Sequence, residues 1–146
     1  LLIKAEHDIW KPAEHNGTFR GNNHAFVTAR VALEKFWSDD RFAGEVRAKG
    51  LFLETRLGEI AKHIPGARLK GRGMMRGIDV GSGELAEAIC SECFEHGLII
   101  ETSGAHDEVV KVLTPLTIPE DQFARGLEIL EAAVEKHAAN SRLAAE

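Results

Sequence analysis

The feature that most constrains the fold is the way the hydrophobic period changes along the chain. Four segments carry apolar residues every three or four positions, the spacing of an amphipathic helix; they are residues 23–38, 40–64, 83–96 and 117–137. Three shorter segments show the alternation or the short apolar run of a strand; they are 67–80, 98–101 and 109–113. Gly71, Gly73 and Gly77 interrupt the first of these, which predicts two short strands or one bulged strand.

The resulting order is a loop, two helices, two short strands, a helix, two strands and a helix. Helices and strands do not alternate strictly, so the pattern predicts an α+β fold in which helices cover a small antiparallel or mixed sheet. The same pattern divides the chain into an N-terminal loop region (1–22), two long connecting helices (23–66) and a small α+β domain (67–146).

Composition excludes several classes of function. Of the 146 residues, 44% are hydrophobic and 28% are charged, which is typical of a globular domain. The net charge of −5 and the lack of basic patches argue against a nucleic-acid or anionic-membrane partner. No apolar run approaches the roughly 18 residues that a membrane span requires. Residue 1 is Leu rather than Met, so we expect the chain to be cut from something longer or processed.

The cysteines and histidines show no pattern of a metal or redox site. The only cysteines, Cys90 and Cys93, fall inside a helical pattern and lack the preceding strand of a thioredoxin-like site. We expect two reduced thiols partly on the buried face of that helix, and hence a reducing, cytoplasmic compartment. The seven histidines are scattered without ligand spacing, so no metal site is expected.

The glycine-rich stretch before the first helix is a candidate anion site. Gly17 and Gly21 flank Thr18, and the segment runs straight into apolar helical residues. Freed backbone N–H groups, a threonine hydroxyl and the start of a helix can converge on one phosphate. The alternative is an ordinary turn, in which Asn22 or Asn23 caps the helix and the glycines only permit the bend.

The first 22 residues show neither a helical nor a strand period. A domain rarely contains so long an irregular segment unless that segment is functional or covers a partner. Trp10 and Phe19 would leave large apolar surfaces in water, so we expect a partner surface in this region.

The same loop resembles a segment of a known family. Residues 17–23, Gly-Thr-Phe-Arg-Gly-Asn-Asn, resemble the Gly-Ser/Thr-Thr-x-x-Gly-Asn-Pro segment of class III (fold type I) pyridoxal-phosphate aminotransferases. In that family the segment crosses a dimer interface, and its threonine binds the cofactor phosphate of the neighbouring subunit. The resemblance therefore implies a homodimer or higher homo-oligomer, with Gly17 and Thr18 as cofactor-binding residues. Asn23, in place of the family's proline, matches the ectoine-biosynthesis branch.

A second segment resembles the substrate site of the same family. Residues 109–118, Val-Val-Lys-Val-Leu-Thr-Pro-Leu-Thr-Ile, are similar to its Arg-hydrophobic-x-Pro-Pro-Leu segment, whose arginine binds a substrate carboxylate. By position Lys111 is the substrate-binding residue, although a lysine offers a point charge instead of a bidentate fork. The alternative is a strand lysine that points to solvent.

The resemblance implies a function for a longer protein, with the fold of a C-terminal small domain in this chain. In the family, the lysine that binds pyridoxal, the acid at the pyridine nitrogen and the ring sandwich all lie upstream, so no catalytic residue is assigned here. The implied reaction moves an amino group from glutamate to aspartate 4-semialdehyde, giving 2,4-diaminobutyrate. We expect the 146-residue chain alone to be inactive. The alternative is a stand-alone, non-catalytic α+β domain with an interaction or regulatory role.

Overall fold

A computed structural model describes residues 3–14, 17 and 21–143 of the chain, with side chains described up to Ala139. The elements in order are a 3-10 turn (Ala5–His7), α1 (Asn23–Phe36), α2 (Arg41–Ala61), β1 (Arg68–Arg72), β2 (Met75–Asp79), α3 (Gly83–Glu95), β3 (Glu101–Ser103), β4 (Val109–Leu113) and α4 (Glu120–Leu143). This arrangement confirms the predicted α+β class. None of the described helices is long and apolar enough to span a membrane.

The chain forms two compact units, Leu1–Asp40 and Arg41–Glu146. The first unit contains the 3-10 turn and α1, and the second contains the sheet and the other three helices named above. The division at residues 22 and 66 drawn from the sequence stays a prediction.

Helix α1 is an amphipathic helix without a buried side chain. Its apolar residues Phe26, Val27, Val31 and Leu33 are all exposed. The periodicity therefore predicted the helix correctly, but the described residues of the first unit do not supply a core against which this apolar surface packs. Apolar area left in water gives none of the stabilisation that burial would bring.

The sheet of the second unit is antiparallel throughout, in the order β1-β2-β4-β3. Side chains on one face of it, including Ile78, Val110 and Val112, belong to the same buried cluster as Leu57 of α2 and Ile89 of α3. Because side chains alternate along a strand, the residues between them lie on the opposite face. One row on that face runs through four paired positions, which are Lys70, Gly77, Lys111 and Glu101.

Helix α4 supplies the most regular part of the core. Phe123, Leu127, Leu130 and Val134 are almost completely buried, as the steps of three and four residues predicted. The helix follows Pro119, whose carbonyl accepts the backbone N–H of Phe123 at 2.9 Å. The prolyl nitrogen has no N–H to leave unsatisfied at the helix start.

The predicted strand at 98–101 is wrong in its position. The structure forms β3 at Glu101–Ser103, because Glu101 pairs with Lys111 and Ser103 pairs with Val109 of β4. Leu98 and Ile100 instead pack against the core from irregular chain. A short apolar run shows that a segment is buried, but only its pairing partner fixes which residues join the ladder.

Two glycines allow backbone to approach closely within this unit. A Cβ atom built on Gly77 would lie 2.6 Å from the carbonyl oxygen of Val110 and 2.6 Å from Cγ1 of Val109. A Cβ atom on Gly50 of α2 would lie 3.2 Å from the Cα atom of Gly73, which connects β1 and β2. The glycines therefore set the spacing of β2 against β4 and the approach of α2 to the β1–β2 hairpin.

We expect Gly77→Ala to lower the free energy of unfolding by about 1–3 kcal/mol, because the added methyl group overpacks a strand pair that cannot separate. Urea unfolding of the chain measures the effect. Gly58→Ala in α2 is the matched control, since the Cβ atom there would approach nothing closer than 4.0 Å. That control should be neutral or stabilising by up to about 1 kcal/mol. Equal unfolding midpoints for Gly77→Ala and the unsubstituted chain would contradict the steric argument.

Candidate functional site

The loop that precedes α1 is described only in part. Residues 11–14 form a turn in which the backbone N–H of Lys11 donates to the Glu14 carboxylate at 2.7 Å. Gly17 is half-buried. Thr18 and Phe19 lie outside the described residues, so the phosphate contact of Thr18 stays a prediction. Trp10 is half-exposed, at 50%.

A side chain caps the start of α1. The Asn22 side chain accepts the Ala25 N–H at 3.0 Å, and its backbone carbonyl accepts the Phe26 N–H at 3.0 Å. Asn22 is therefore the cap, one of the two residues proposed for that role. The N–H groups of Asn23 and His24 still have no acceptor within the helix, because the first turn of any helix lacks them. The capped end remains a source of positive potential two residues after Gly21.

Lys111 lies in the middle of β4 with a partly buried ammonium group. Its side chain is 26% exposed, and Nζ lies 3.1 Å from the Oε1 atom of Glu101, whose side chain is 76% exposed. Sequence reasoning did not single out Glu101, because its pairing with Lys111 depends on the register of β3.

Lys111 also lines a small cavity of the second unit. The cavity has a volume of about 130 Å³ and an apolar wall to which Leu98, Ile100, Val112, Ile118 and Phe123 contribute. An ammonium group has three donors, and the Glu101 carboxylate does not occupy all of them. Lys111 therefore has donors left with which it can bind a second carboxylate.

Several other lysines form ion pairs with carboxylates. Lys62 pairs with Glu59, Lys136 with Glu92, and Lys70 with both Asp79 and Glu108. Hydrogen bonds to Asp79 and Glu108 raise the pKa of Lys70. Covalent chemistry at a lysine requires the opposite, an ammonium group that loses its proton easily.

Among the described side chains of the second unit, Asp79 is the buried carboxylate. It lies 3.0 Å from Nη2 of Arg68 and 3.1 Å from Nζ of Lys70, and it accepts the backbone N–H of Gly81 at 3.0 Å. The bond from Lys70, followed by that from Gly81, lowers the pKa of Asp79. A carboxylate stabilised in this way is a poor proton acceptor near neutral pH, so we interpret Asp79 as structural.

The two cysteines are free and buried on α3. Burial raises the pKa of Cys90 to about 11 and that of Cys93 to about 12. Both thiols are protonated at neutral pH, and a protonated thiol is neither a good nucleophile nor a good metal ligand. In the part of the chain that the structure describes, no group of three or more histidine, cysteine or carboxylate side chains could hold a metal ion.

Comparison with known sequences gives the family. Residues 4–134 match the sequence profile of the family Aminotransferase class-III. The diaminobutyrate–2-oxoglutarate transaminase of Nocardia farcinica is 51% identical over 135 residues, which are 92% of this chain and 31% of that protein. The enzyme of the same name from Halomonas elongata is 51% identical over 140 residues, which are 93% of this chain and 33% of that protein.

Solved structures agree in fold. An ornithine delta-aminotransferase from Plasmodium falciparum has a TM-score of 0.70 at 27% identity, over 90% of this chain and 34% of that one. The lysine aminotransferase from M. tuberculosis in the internal aldimine form has a TM-score of 0.73 at 23% identity, over 86% of this chain and 29% of that one. At the latter identity the likeness concerns the fold alone.

The match covers most of this chain and a minor part of its relatives. The chain spans about a third of the length of the curated relatives named above. The family profile nevertheless includes the loop before α1, the whole sheet and most of α4. The chain belongs to the class-III aminotransferase family.

Proposed function

We propose that this chain is the C-terminal portion of a pyridoxal-phosphate-dependent aminotransferase. The proposed reaction transfers an amino group from glutamate to aspartate 4-semialdehyde and gives 2,4-diaminobutyrate and 2-oxoglutarate, a step of ectoine biosynthesis. Identity near 50% to several diaminobutyrate–2-oxoglutarate transaminases, over about nine-tenths of the chain, supports this choice of substrates. The structural observation that carries the proposal is the partly buried side chain of Lys111, a residue that also lines an apolar cavity.

The residues before α1 suit the phosphate group of pyridoxal phosphate. The donor set would comprise the Gly17 N–H, the Thr18 hydroxyl and the positive end of α1, all of which favour a phosphate dianion. When bound, the cofactor supplies the electron sink for the chemistry. The part played by this chain would be to anchor the phosphate and so to fix the position of the ring.

Lys111 would bind a carboxylate of glutamate or 2-oxoglutarate. Its ammonium group pairs with Glu101, whose exposed carboxylate is well solvated and therefore binds it weakly. A substrate carboxylate can share or displace this partner. Since lysine offers a point charge, it would fix the position of the carboxylate more than its orientation.

We also propose that the protein is a homodimer or a higher homo-oligomer in the cytoplasm. The exposed apolar residues of α1, Phe26, Val27, Val31 and Leu33, support a subunit interface next to the phosphate loop. Free, buried thiols at Cys90 and Cys93 agree with a reducing compartment.

The isolated 146-residue chain should show no transaminase activity, because the family's cofactor-binding lysine and ring sandwich are not matched by any of its segments. The measurement is 2-oxoglutarate formed from glutamate and aspartate 4-semialdehyde in the presence of the cofactor. Turnover by the purified chain would contradict the proposal. An encoding reading frame that starts close to Leu1 would instead favour the stand-alone interaction or regulatory domain.

In the full-length enzyme, Lys111→Ala should raise the KM for glutamate and for 2-oxoglutarate by about ten- to a hundredfold. A hydrogen bond to a charged group contributes about 1.5–3 kcal/mol, and cofactor affinity should not change. Steady-state kinetics with each dicarboxylate measure the effect, and Lys62→Ala, an exposed residue directly after α2, is the control. Unchanged KM values would mean that Lys111 is a solvent-facing strand lysine.

Thr18→Ala in the full-length enzyme should weaken cofactor binding by about one to two decades, since one hydrogen bond to a charged phosphate is lost. If the phosphate belongs to the neighbouring subunit, the variant should also lose part of the dimer stabilisation that the cofactor provides. Cofactor affinity and dimer dissociation, with and without pyridoxal phosphate, test both effects. Thr55→Ala, in α2, is the control. Unaltered cofactor affinity would mean that the loop only caps the helix and does not bind the phosphate.

A further inference from the structure

A lysine of α2 binds the connection between β4 and α4. Nζ of Lys49 donates to the carbonyl oxygen of Leu116 at 3.2 Å and to that of Ile118 at 2.7 Å. Among the residues that the structure describes, no carboxylate forms an ion pair with Lys49. The charge of this half-buried ammonium is therefore compensated by carbonyl dipoles rather than by an acid.

The connection that Lys49 binds is a tight turn between two prolines. The backbone N–H of Ile118 donates to the carbonyl oxygen of Pro115 at 3.0 Å, and α4 starts directly after Pro119. The two acceptors of Lys49 lie on either side of Thr117. Two hydrogen bonds from one cation to alternate carbonyls fix the path of this turn relative to α2.

The turn forms part of the cavity that contains Lys111. Ile118 lines this cavity together with Lys111, Val112 and Phe123. Leu116 follows Lys111 by only five residues, so β4 continues almost directly into the turn. Displacing the turn would therefore move part of the wall of the cavity that Lys111 also lines.

We propose that Lys49 is a positioning residue for the carboxylate site at Lys111. It fixes the turn at residues 115–118, and with it the wall against which the substrate would lie. This inference rests on the proposed function of Lys111. Lys49 itself need not touch the substrate, because its ammonium group is already engaged with the two carbonyls.

The test is Lys49→Met in the full-length enzyme, because methionine keeps a long apolar side chain but has no donor. We expect the KM for glutamate and for 2-oxoglutarate to rise about fivefold, since a small displacement of a binding wall has a large effect. The kcat and the cofactor affinity should stay within about twofold. Lys49→Gln keeps a neutral donor on a shorter side chain, so it should raise both KM values less than Lys49→Met does. It replaces Lys49→Met in the test if the methionine variant does not fold.

Two control variants, one within α2 and one directly after it, separate positioning of the site from a general loss of stability. Lys62→Met removes an exposed lysine, and Ile60→Val removes a buried methyl group; neither should change the KM values. If Lys111→Ala raises KM but Lys49→Met and Lys49→Gln change only the melting temperature, as Ile60→Val does, the inference is overturned while the proposed function stands. If Lys111→Ala itself leaves KM unchanged, the proposed role of the site fails and the inference with it.

Discussion

The register of β4 between β2 and β3 determines where every side chain of the proposed substrate site lies. Val110 and Val112 face the core, so Lys111 must face the other side of the sheet, beside Gly77 of β2 and Glu101 of β3. A shift of one residue would bury the ammonium group and expose both valines. Burying an unpaired charge is so costly that this alternative is excluded.

Three lysines of the second unit illustrate how differently a protein can compensate one charge. Lys70 pairs with Asp79 and Glu108, whose side chains are 5% and 17% exposed. Lys49 is bound by two backbone carbonyls. Lys111 has a largely exposed carboxylate, which water and salt screen strongly. Of the three ammonium groups, that of Lys111 is therefore the one best able to bind a new anion. Lys111 is also the residue whose position resembles the family's carboxylate-binding arginine.

The two compact units differ in how their apolar residues are used. In the second unit the helical stripes of α2, α3 and α4 meet the sheet and form one buried cluster. Helix α1 has the same kind of period, yet none of its residues is buried. The hydrophobic effect stabilises only through area that is removed from water, so the apolar surface of α1 would be stabilised only by contact with another surface. This is the physical basis for placing the proposed subunit interface there.

The sequence by itself determined the elements whose cause is local. The helical period placed α1 to α4, and the run at 109–113 marked β4 at its observed bounds. The interrupting glycines predicted two short strands or one bulged strand, and the structure forms the two strands β1 and β2. The loop motif and Lys111 could also be identified as candidate site residues, because a resemblance between sequences does not depend on the tertiary structure. Only the tertiary structure decided the position of β3, the pairing of Glu101 with Lys111 and the two bonds from Lys49 to a turn 67 and 69 residues away. These features depend on which distant segments meet, and neither hydrophobic period nor local propensity carries that information.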